Sequence, residues 1–381
     1  MKIQILTYSI SRLAGGVLDA VKDLFTNKVF KDIDISLFSY YDAYSNEDLH
    51  LWGKIKIILF KPHIFLYSRD LKCSLLKSDA NILHMEGLWR YPTLLISLWI
   101  TRQKKTLICS PHGMLDPYII KHQGMIKRLF AKLFFDKKLN KVTCFHALCQ
   151  KELEDIRSYG IKSPVAIIPN GVYLPDIDVV SQKKDCKKHL LFLGRLHPKK
   201  GVDILLKAIK KLLSINPDKM LLWKVDIVGW GDTEYRNLLE QICKDSKLND
   251  IVTFYGGVYG EKKSMMYANA DAYILPSHGE GLQMSVLEAW SYGLPVIMTP
   301  QCNITEGFDA GAAIRIKDDI TGIVDGLQHL LSLNDNDRKK MGENGRKLVE
   351  QKFSWTESAK KMLLVYQWLL GEGEKPEFVF D

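Results

Sequence analysis

Short apolar runs alternate with stretches of helical period along the whole chain, and this alternation restricts it to an α/β fold built on parallel sheets. In the first half the predicted strands are Ile3–Thr7, Ile33–Phe38, Ile64–Tyr67, Ile82–Met85, Thr106–Ser110, Cys144–Ala147 and Val165–Ile168. Helices fit between them, among them Gly16–Phe25, Thr93–Thr101 and Lys151–Tyr159. The pattern breaks over Pro169–Pro175 and the charged run SQKKDCKK, where turn formers and lysines replace the apolar period, as expected of a linker. A second series then begins, with strands at His189–Leu193, Trp223–Val228, Val252–Tyr255, Ala272–Leu275, Val296–Met298 and Ala313–Ile316. Its helices are Val202–Leu213, Glu234–Asp245, Ser264–Ala270, Ser285–Tyr292 and Ile320–Leu331. With 381 residues, two doubly wound Rossmann-like domains are expected, 1–172 and 173–355.

Composition narrows the class without choosing a ligand. The chain is 46% hydrophobic and 25% charged, as an ordinary globular protein is. Its net charge of +9 suits an acidic ligand, an anionic membrane or nucleic acid alike. Nucleic acid is set aside, because no recognised binding module or aromatic-interleaved basic strand occurs. The seven cysteines show neither C-x-x-C nor zinc-site spacing and are expected to be reduced core thiols; no cofactor is expected, and no metal, because Arg, Lys and amide dipoles can do what a divalent ion would do. The opening MKIQILTYSI reads as a strand, and the longest apolar run is too short to cross a bilayer. The expected location is cytoplasmic.

In open parallel sheets ligands bind beyond the carboxyl ends of strands, so chemistry is sought in the loops that enter helices. The most informative loop follows Pro276 and opens a helix around Met284 and Ser285, where free N–H groups and the helix dipole suit an anion. Glu280 precedes that helix and Glu288 lies in it, roughly 12 Å farther along the axis at 1.5 Å per residue. Two carboxylates so placed can bracket a diphosphate and accept hydrogen bonds from sugar and ribose hydroxyls. Read alone, they are equally a solvated loop acid and a surface helical acid. A second loop, Gly194-Arg195-Leu-His-Pro-Lys-Lys200-Gly201, carries a guanidinium and an ammonium suited to phosphate, or forms a basic surface loop. It is not a P-loop, since G-x-x-x-x-G-K-[ST] is absent.

These two segments, with Pro169-Asn-Gly-Val172 and Gly15-Gly16, resemble the family 4 retaining glycosyltransferases of the GT-B fold, of the bacterial surface-polysaccharide type. The glutamates match that family's E-x7-E signature, and Gly194-Arg195 with Lys200-Gly201 matches its basic phosphate-binding pattern. The resemblance implies two Rossmann-like domains facing a cleft, with a terminal helix that crosses back so that 356–381 packs on the first domain. It implies a hexosyltransferase that moves a hexose or N-acetylhexosamine from a UDP-sugar, or less readily a GDP-sugar, to a glycan or lipid-linked glycan. Arg195 and Lys200 would bind the diphosphate and Glu280 the donor sugar, with His112 beside it at the reaction centre. Glu288 would hold the ribose and Val258 the base. The residues Gly281, Leu282, Gln283, Met284 and Ser285 would meet the phosphates and sugar, and Gly15 and Gly16 would allow close approach to the donor. Asp116 is a candidate for orienting the acceptor. Departures occur at Gly281-Leu-Gln283, where many members have Gly-Phe-Gly, and at Thr299–Gly307, where a glycine-rich turn is usual. The same fold leaves a sugar-nucleotide epimerase or a non-catalytic nucleotide-sugar-binding partner as alternatives.

Residues 121–141 hold seven Lys or Arg against one Asp, with Ile126, Leu129, Phe130, Leu133 and Phe134 at helical spacing. Such a helix can lie on an anionic membrane and meet a lipid-linked acceptor, or pack its stripe into its own domain. In the tail, Trp355, Met362, Leu363, Tyr366 and Leu370 form one apolar side of a helix, and Gly371–Asp381 is expected to be loosely held.

Overall fold

The computed structural model describes residues 1–63, 66–100, 105–122, 136–176 and 187–381. Two units are present, Met1–Gly171 together with Trp355–Asp381, and Val172–Ser354. In the first, the strands are β1 (Lys2–Leu6), β2 (Asp34–Tyr40), β3 (Lys56–Phe60), β4 (Ile82–Glu86), β5 (Thr106–Ser110), β6 (Cys144–Ala147) and β7 (Val165–Ile167), joined by β14 (Val379–Phe380). The spatial order is β14-β7-β6-β5-β4-β1-β2-β3. Successive side chains of a strand enter opposite faces, so Ile3 and Ile5 join one buried cluster while Leu6 joins another. Both faces are covered, which is why these strands read as nearly continuous apolar runs.

Three expectations for this unit are corrected. The third strand is Lys56–Phe60, not Ile64–Tyr67. Residues 64 and 65 lie outside the described residues, and Leu66 has φ 58 in a turn closed by a His63 N–H to Tyr67 C=O bond. The Lys56-Ile-Ile-Leu-Phe60 run, by contrast, pairs in parallel with β2 from Ser36↔Lys56 to Tyr40↔Phe60. The C-terminal segment is not loose either. Val379 is buried and β14 adds antiparallel to β7, with Lys375 paired to Asp381 at 2.6 Å. Finally, Cys73 is exposed and not a core thiol, whereas Cys109, Cys144, Cys149, Cys243 and Cys302 are buried. Cys186 lies outside the described residues.

The Trp355–Leu369 helix packs within this same unit, with Trp355, Met362 and Tyr366 buried and Leu363 and Leu370 half-buried against them. Most of the basic stretch 121–141 lies outside the described residues. Among the described residues, no helix is long and apolar enough to cross a membrane.

The second unit contains β8 (Lys188–Leu193), β9 (Trp223–Val228), β10 (Val252–Gly256), β11 (Ala272–Leu275), β12 (Val296–Met298) and β13 (Ala313–Arg315). All pair in parallel in the order β10-β9-β8-β11-β12-β13. Strand order reverses between β8 and β11, and a crevice opens where the loops leaving two neighbouring strands part to opposite sides. Those two loops are the ones that carry Arg195, Lys200 and Glu280. The sequence reading overlooked the Asp335–Lys352 helix, because its buried face is made of Gly342, Gly345, Leu348 and Val349. A Cβ on Gly345 would lie 2.2 Å from Trp290, so the glycine is what lets that indole seat.

Candidate functional site

In the second unit the β8 and β11 loops are laced together by backbone. His278 N–H donates to the Lys199 carbonyl at 2.8 Å, and Ser277 Oγ donates to the same oxygen at 2.9 Å. Gly201, at φ +71, sits where a Cβ would meet the Pro276 carbonyl at 2.3 Å. The lacing brings Lys200 Nζ within 2.7 Å of Glu280 Oε1 and 3.0 Å of Gln283 Oε1. Ser277 Oγ lies 2.5 Å from that same Glu280 oxygen, and Asn303 Nδ2 donates to the Glu280 carbonyl at 2.6 Å. Lys200 and Glu280 are 15% and 12% exposed, so the pair is held in partial shelter from water.

The helix Met284–Ser291 begins directly beyond this cluster, with Gln283 as its N-cap and no side-chain cap bond. Gln283 Nε2 instead donates to Ser285 Oγ at 2.6 Å, and Ser285 Oγ lies 2.5 Å from the Tyr273 hydroxyl. There is no acid in the helix's first turn. An anion placed there faces the positive helix end, the Lys200 ammonium and no opposing carboxylate of that turn. One turn and more along the helix, Glu288 takes Lys263 Nζ at 2.5 Å and the Tyr267 hydroxyl at 2.8 Å. Burial and the Glu288 charge push the Tyr267 phenol well up, so it stays a donor.

Arg195 is exposed and lies over the Trp230 ring at 5.6 Å, an arrangement that leaves its guanidinium edge open to phosphate oxygens. Val258 is half-buried against the core of this unit, in the loop after β10. Leu282 and Met284 pack on that core too, while a Cβ on Gly281 would meet nothing within 4 Å. Lys200, Glu280, Gln283 and Ser285 therefore share one strand-end cluster, with Arg195 against Trp230 in the β8 loop and Glu288 set apart on its own partners. Reasoning from sequence missed Lys263, Tyr267, Tyr273, Ser277 and Asn303, which supply the partners of those residues.

In the first unit His112 occupies the turn after β5 at φ 52, in the left-handed region that a histidine rarely adopts. Its Nε2 lies 2.6 Å from Glu86 Oε2 at the end of β4, with side chains 9% and 2% exposed. The next residue, Gly113, donates its N–H to Glu152 at 2.6 Å, and Glu152 also accepts from Leu148 N–H at 2.7 Å. Burial would lower the His112 pKa, but the hydrogen bond and charge of Glu86, with Glu152 behind it, raise it overall. Burial would raise Glu86; the hydrogen bond and charge of His112 reverse that and hold it well below the usual carboxylate range. The proton of the pair thus sits on His112.

Behind the pair runs a buried relay whose direction can be deduced. His146 Nε2 lies 2.8 Å from the Ile168 carbonyl, which only accepts, so Nε2 carries the proton. Burial lowers His146 to about 4, leaving a neutral ring whose Nδ1 accepts from Ser110 Oγ at 2.9 Å. Ser110 Oγ in turn accepts from His84 Nε2 at 2.7 Å, and burial keeps His84 neutral as well. His84 Nδ1 then accepts from the Tyr366 hydroxyl at 2.6 Å. A histidine buried neutral costs stability as pH falls, because the unfolded chain binds its proton first. Stability is therefore fully present above pH ~6.5 and declines as pH drops toward 4, by about 2 kcal/mol between pH 7.5 and 5 for His146 alone. Denaturant titration at these two pH values should show this loss, and His146→Asn should remove most of it; an equal loss in the variant would assign the acid sensitivity elsewhere.

Asp116 uses its carboxylate locally, accepting the Tyr118 N–H at 2.7 Å ahead of the Pro117–His122 helix. Gly15 has φ +57, which favours glycine, and a Cβ on either Gly15 or Gly16 would meet nothing within 4 Å. Glu86 and the relay were not foreseen. The available signal was His84 and Glu86 inside the run Ile82-Leu-His-Met-Glu86, charged and polar residues in a strand buried on both faces. Among the described residues no three His, Cys, Asp or Glu side chains converge as metal ligands.

Two nucleotide-binding-type α/β units, one with a basic and carboxylate cluster at its switch point, define the architecture of GT-B sugar transferases. Comparison with known proteins makes the assignment specific. Residues 175–348 match the family model "Glycosyl transferases group 1" and residues 43–174 match "Glycosyltransferase Family 4". The chain belongs to the family 4 glycosyltransferases of the GT-B fold. It is 30% identical over 194 residues to the glycosyltransferase MJ1607 of Methanocaldococcus jannaschii, covering 48% of this chain and 46% of that one. It is 25% identical over 328 residues to the alpha-monoglucosyldiacylglycerol synthase of Streptococcus pneumoniae, covering 78% and 70%. The chain thus spans about half the length of the first of these relatives and more of the second. Anabaena HepE, solved in complex with UDP, superposes with a TM-score of 0.77 at 16% identity over 97% of this chain and 100% of that one.

Proposed function

We propose that this protein is a retaining, metal-independent hexosyltransferase that uses a UDP-sugar and extends a glycan or lipid-linked glycan in bacterial surface-polysaccharide synthesis. The observation that carries the reading is the Lys200–Glu280–Gln283 cluster at the opening of the Met284 helix, with exposed Arg195 in the same β8 loop as Lys200. As the sugar–phosphate bond breaks, negative charge grows on the leaving diphosphate. Arg195 and the helix end face that charge, and Lys200 joins them once the diphosphate has drawn it from Glu280, so together they lower the barrier. Glu280 binds sugar hydroxyls, Glu288 the ribose and Val258 the base. His112 gives a hydrogen bond to the sugar, and Asp116 orients the acceptor. With Glu280 given to sugar hydroxyls in this reading, departure and attack on the same face are favoured over a covalent sugar intermediate. HepE's complex with UDP supports a uridine donor, and the diacylglycerol in the name of the Streptococcus relative supports a lipid-linked acceptor.

The test is thermal stabilisation without added metal by UDP, GDP, ADP and their sugars. A nucleotide at 100 times its Kd stabilises the native state by about 2.7 kcal/mol. UDP should raise the melting temperature by several degrees, and Arg195→Ala should abolish the rise while leaving the ligand-free melting temperature within about 1 °C. Stabilisation by GDP alone would overturn the base assignment, and no response to any nucleotide would overturn the donor reading.

A further inference from the structure

We propose that Glu86 is a positioning residue that grips His112 through Nε2 and so fixes Nδ1 as the atom presented to substrate. The inference rests on the sugar-contacting role given to His112 above. Glu86 closes β4 next to the point where strand order reverses in the first unit, and with Thr7 and Arg90 it lines a small crevice there. Its Oε2 meets Nε2 of His112 at 2.6 Å, while Oε1 lies 3.4 Å from His84 Nε2. Among the described residues Nδ1 of His112 has no hydrogen-bond partner. A ring held at one nitrogen by a carboxylate has its plane, tautomer and charge decided by that carboxylate.

The backbone supports the same purpose. His112 is at φ 52, in the left-handed region that is unfavourable for a residue with a side chain. The turn is nevertheless pinned from behind by the Gly113 N–H to Glu152 bond at 2.6 Å. Glu86 on β4 and Glu152 on the Gln150–Ser158 helix are the acids that act on the ring; the neighbouring bases His84 on β4 and His146 on β6 are buried neutral and add no competing charge. Glu86 therefore favours a protonated ring, with Nε2–H committed to the carboxylate and Nδ1–H free to donate. Removing the carboxylate charge lets the ring lose its proton and turn.

The direct test follows His112 by NMR in the full-length protein carrying 13C-labelled histidine, with His112→Asn used to assign its signal. In the wild type His112 should titrate above the ordinary value of about 6.5. Glu86→Gln should lower that midpoint by at least one pH unit, and Glu86→Asp should restore part of the shift. The rate of UDP release from UDP-glucose in water should keep its level to higher pH in the wild type than in Glu86→Gln, with the UDP-induced melting shift unchanged. An identical His112 midpoint in wild type and Glu86→Gln overturns the proposal. Should Glu86→Gln fail to fold, Glu86→Asp decides: a midpoint lowered part of the way with a changed ring environment supports Glu86 as the grip, and an unchanged midpoint and spectrum overturn it. Failure of every UDP ligand to stabilise the wild type would instead sink the donor reading, while the NMR midpoint still reports on the grip.

Discussion

Lys200→Ala and Glu280→Gln should both lower sugar transfer by about 100-fold, yet move UDP affinity in opposite directions. The reason lies in their 2.7 Å contact. In the ligand-free protein Lys200 is already neutralised by Glu280, with Gln283 Oε1 as a second acceptor. A diphosphate entering at the Met284 helix must compete with that carboxylate for the ammonium. Removing Lys200 takes away a phosphate partner and leaves Glu280, 12% exposed, as a like charge facing the ligand. UDP should then bind at least tenfold more weakly. Removing the charge of Glu280 frees Lys200 for the phosphates, so UDP should bind as well as before or several-fold tighter, although the sugar has lost its hydroxyl acceptor. Calorimetric titration of UDP into both variants and the wild type checks this. Equal weakening in both would mean that Glu280 supports the phosphate site instead of competing for its cation, and the division of roles between sugar and diphosphate would fall.

The opposed signs could not be read from the sequence, although both residues could. Strand-end loops before helices were visible as patterns, because parallel strands buried on both faces are written as apolar runs and the loops as glycines and charges. Helix Gly16–Phe25 and strand Trp223–Val228 were legible to the residue, since each is bounded by a clear change of period. Lys56–Phe60 was passed over because its alternating exposure belongs to an edge strand, where only one side is paired. The Asp335–Lys352 helix was missed because glycines, not apolar side chains, form its contact. Partners distant in the chain were invisible in principle. Glu86 and His112 stand 26 positions apart, and Tyr366 reaches His84 across 282. Such pairs depend on strand register and turn conformation, which a period does not encode.

Gly201→Ala is expected to destabilise the second unit strongly and at its candidate site. The added Cβ would stand 2.3 Å from the Pro276 carbonyl oxygen, far inside van der Waals contact, at a residue with φ +71. The obstacle is backbone, so it cannot swing aside as a side-chain end would. Overpacking of this kind costs about 1–3 kcal/mol, and the left-handed conformation adds about 1–2 kcal/mol for any residue with a Cβ. Together these predict a loss of roughly 3 kcal/mol, or a melting temperature lower by about 6–12 °C for a unit of this size. Gly281→Ala is the matched control: a Cβ there meets nothing within 4 Å, so its melting temperature should stay within about 2 °C of wild type. The damage should also reach function in a particular way. Relief of the clash must part the β8 loop from the β11 loop, which are joined through Lys199 to Ser277 and His278. Lys200 and Glu280 would then separate, and UDP would lose its stabilising effect even below the lowered melting point. A Gly201→Ala protein as stable as Gly281→Ala would show that the two loops yield at little cost, and that the close approach at Pro276 is not what fixes the site.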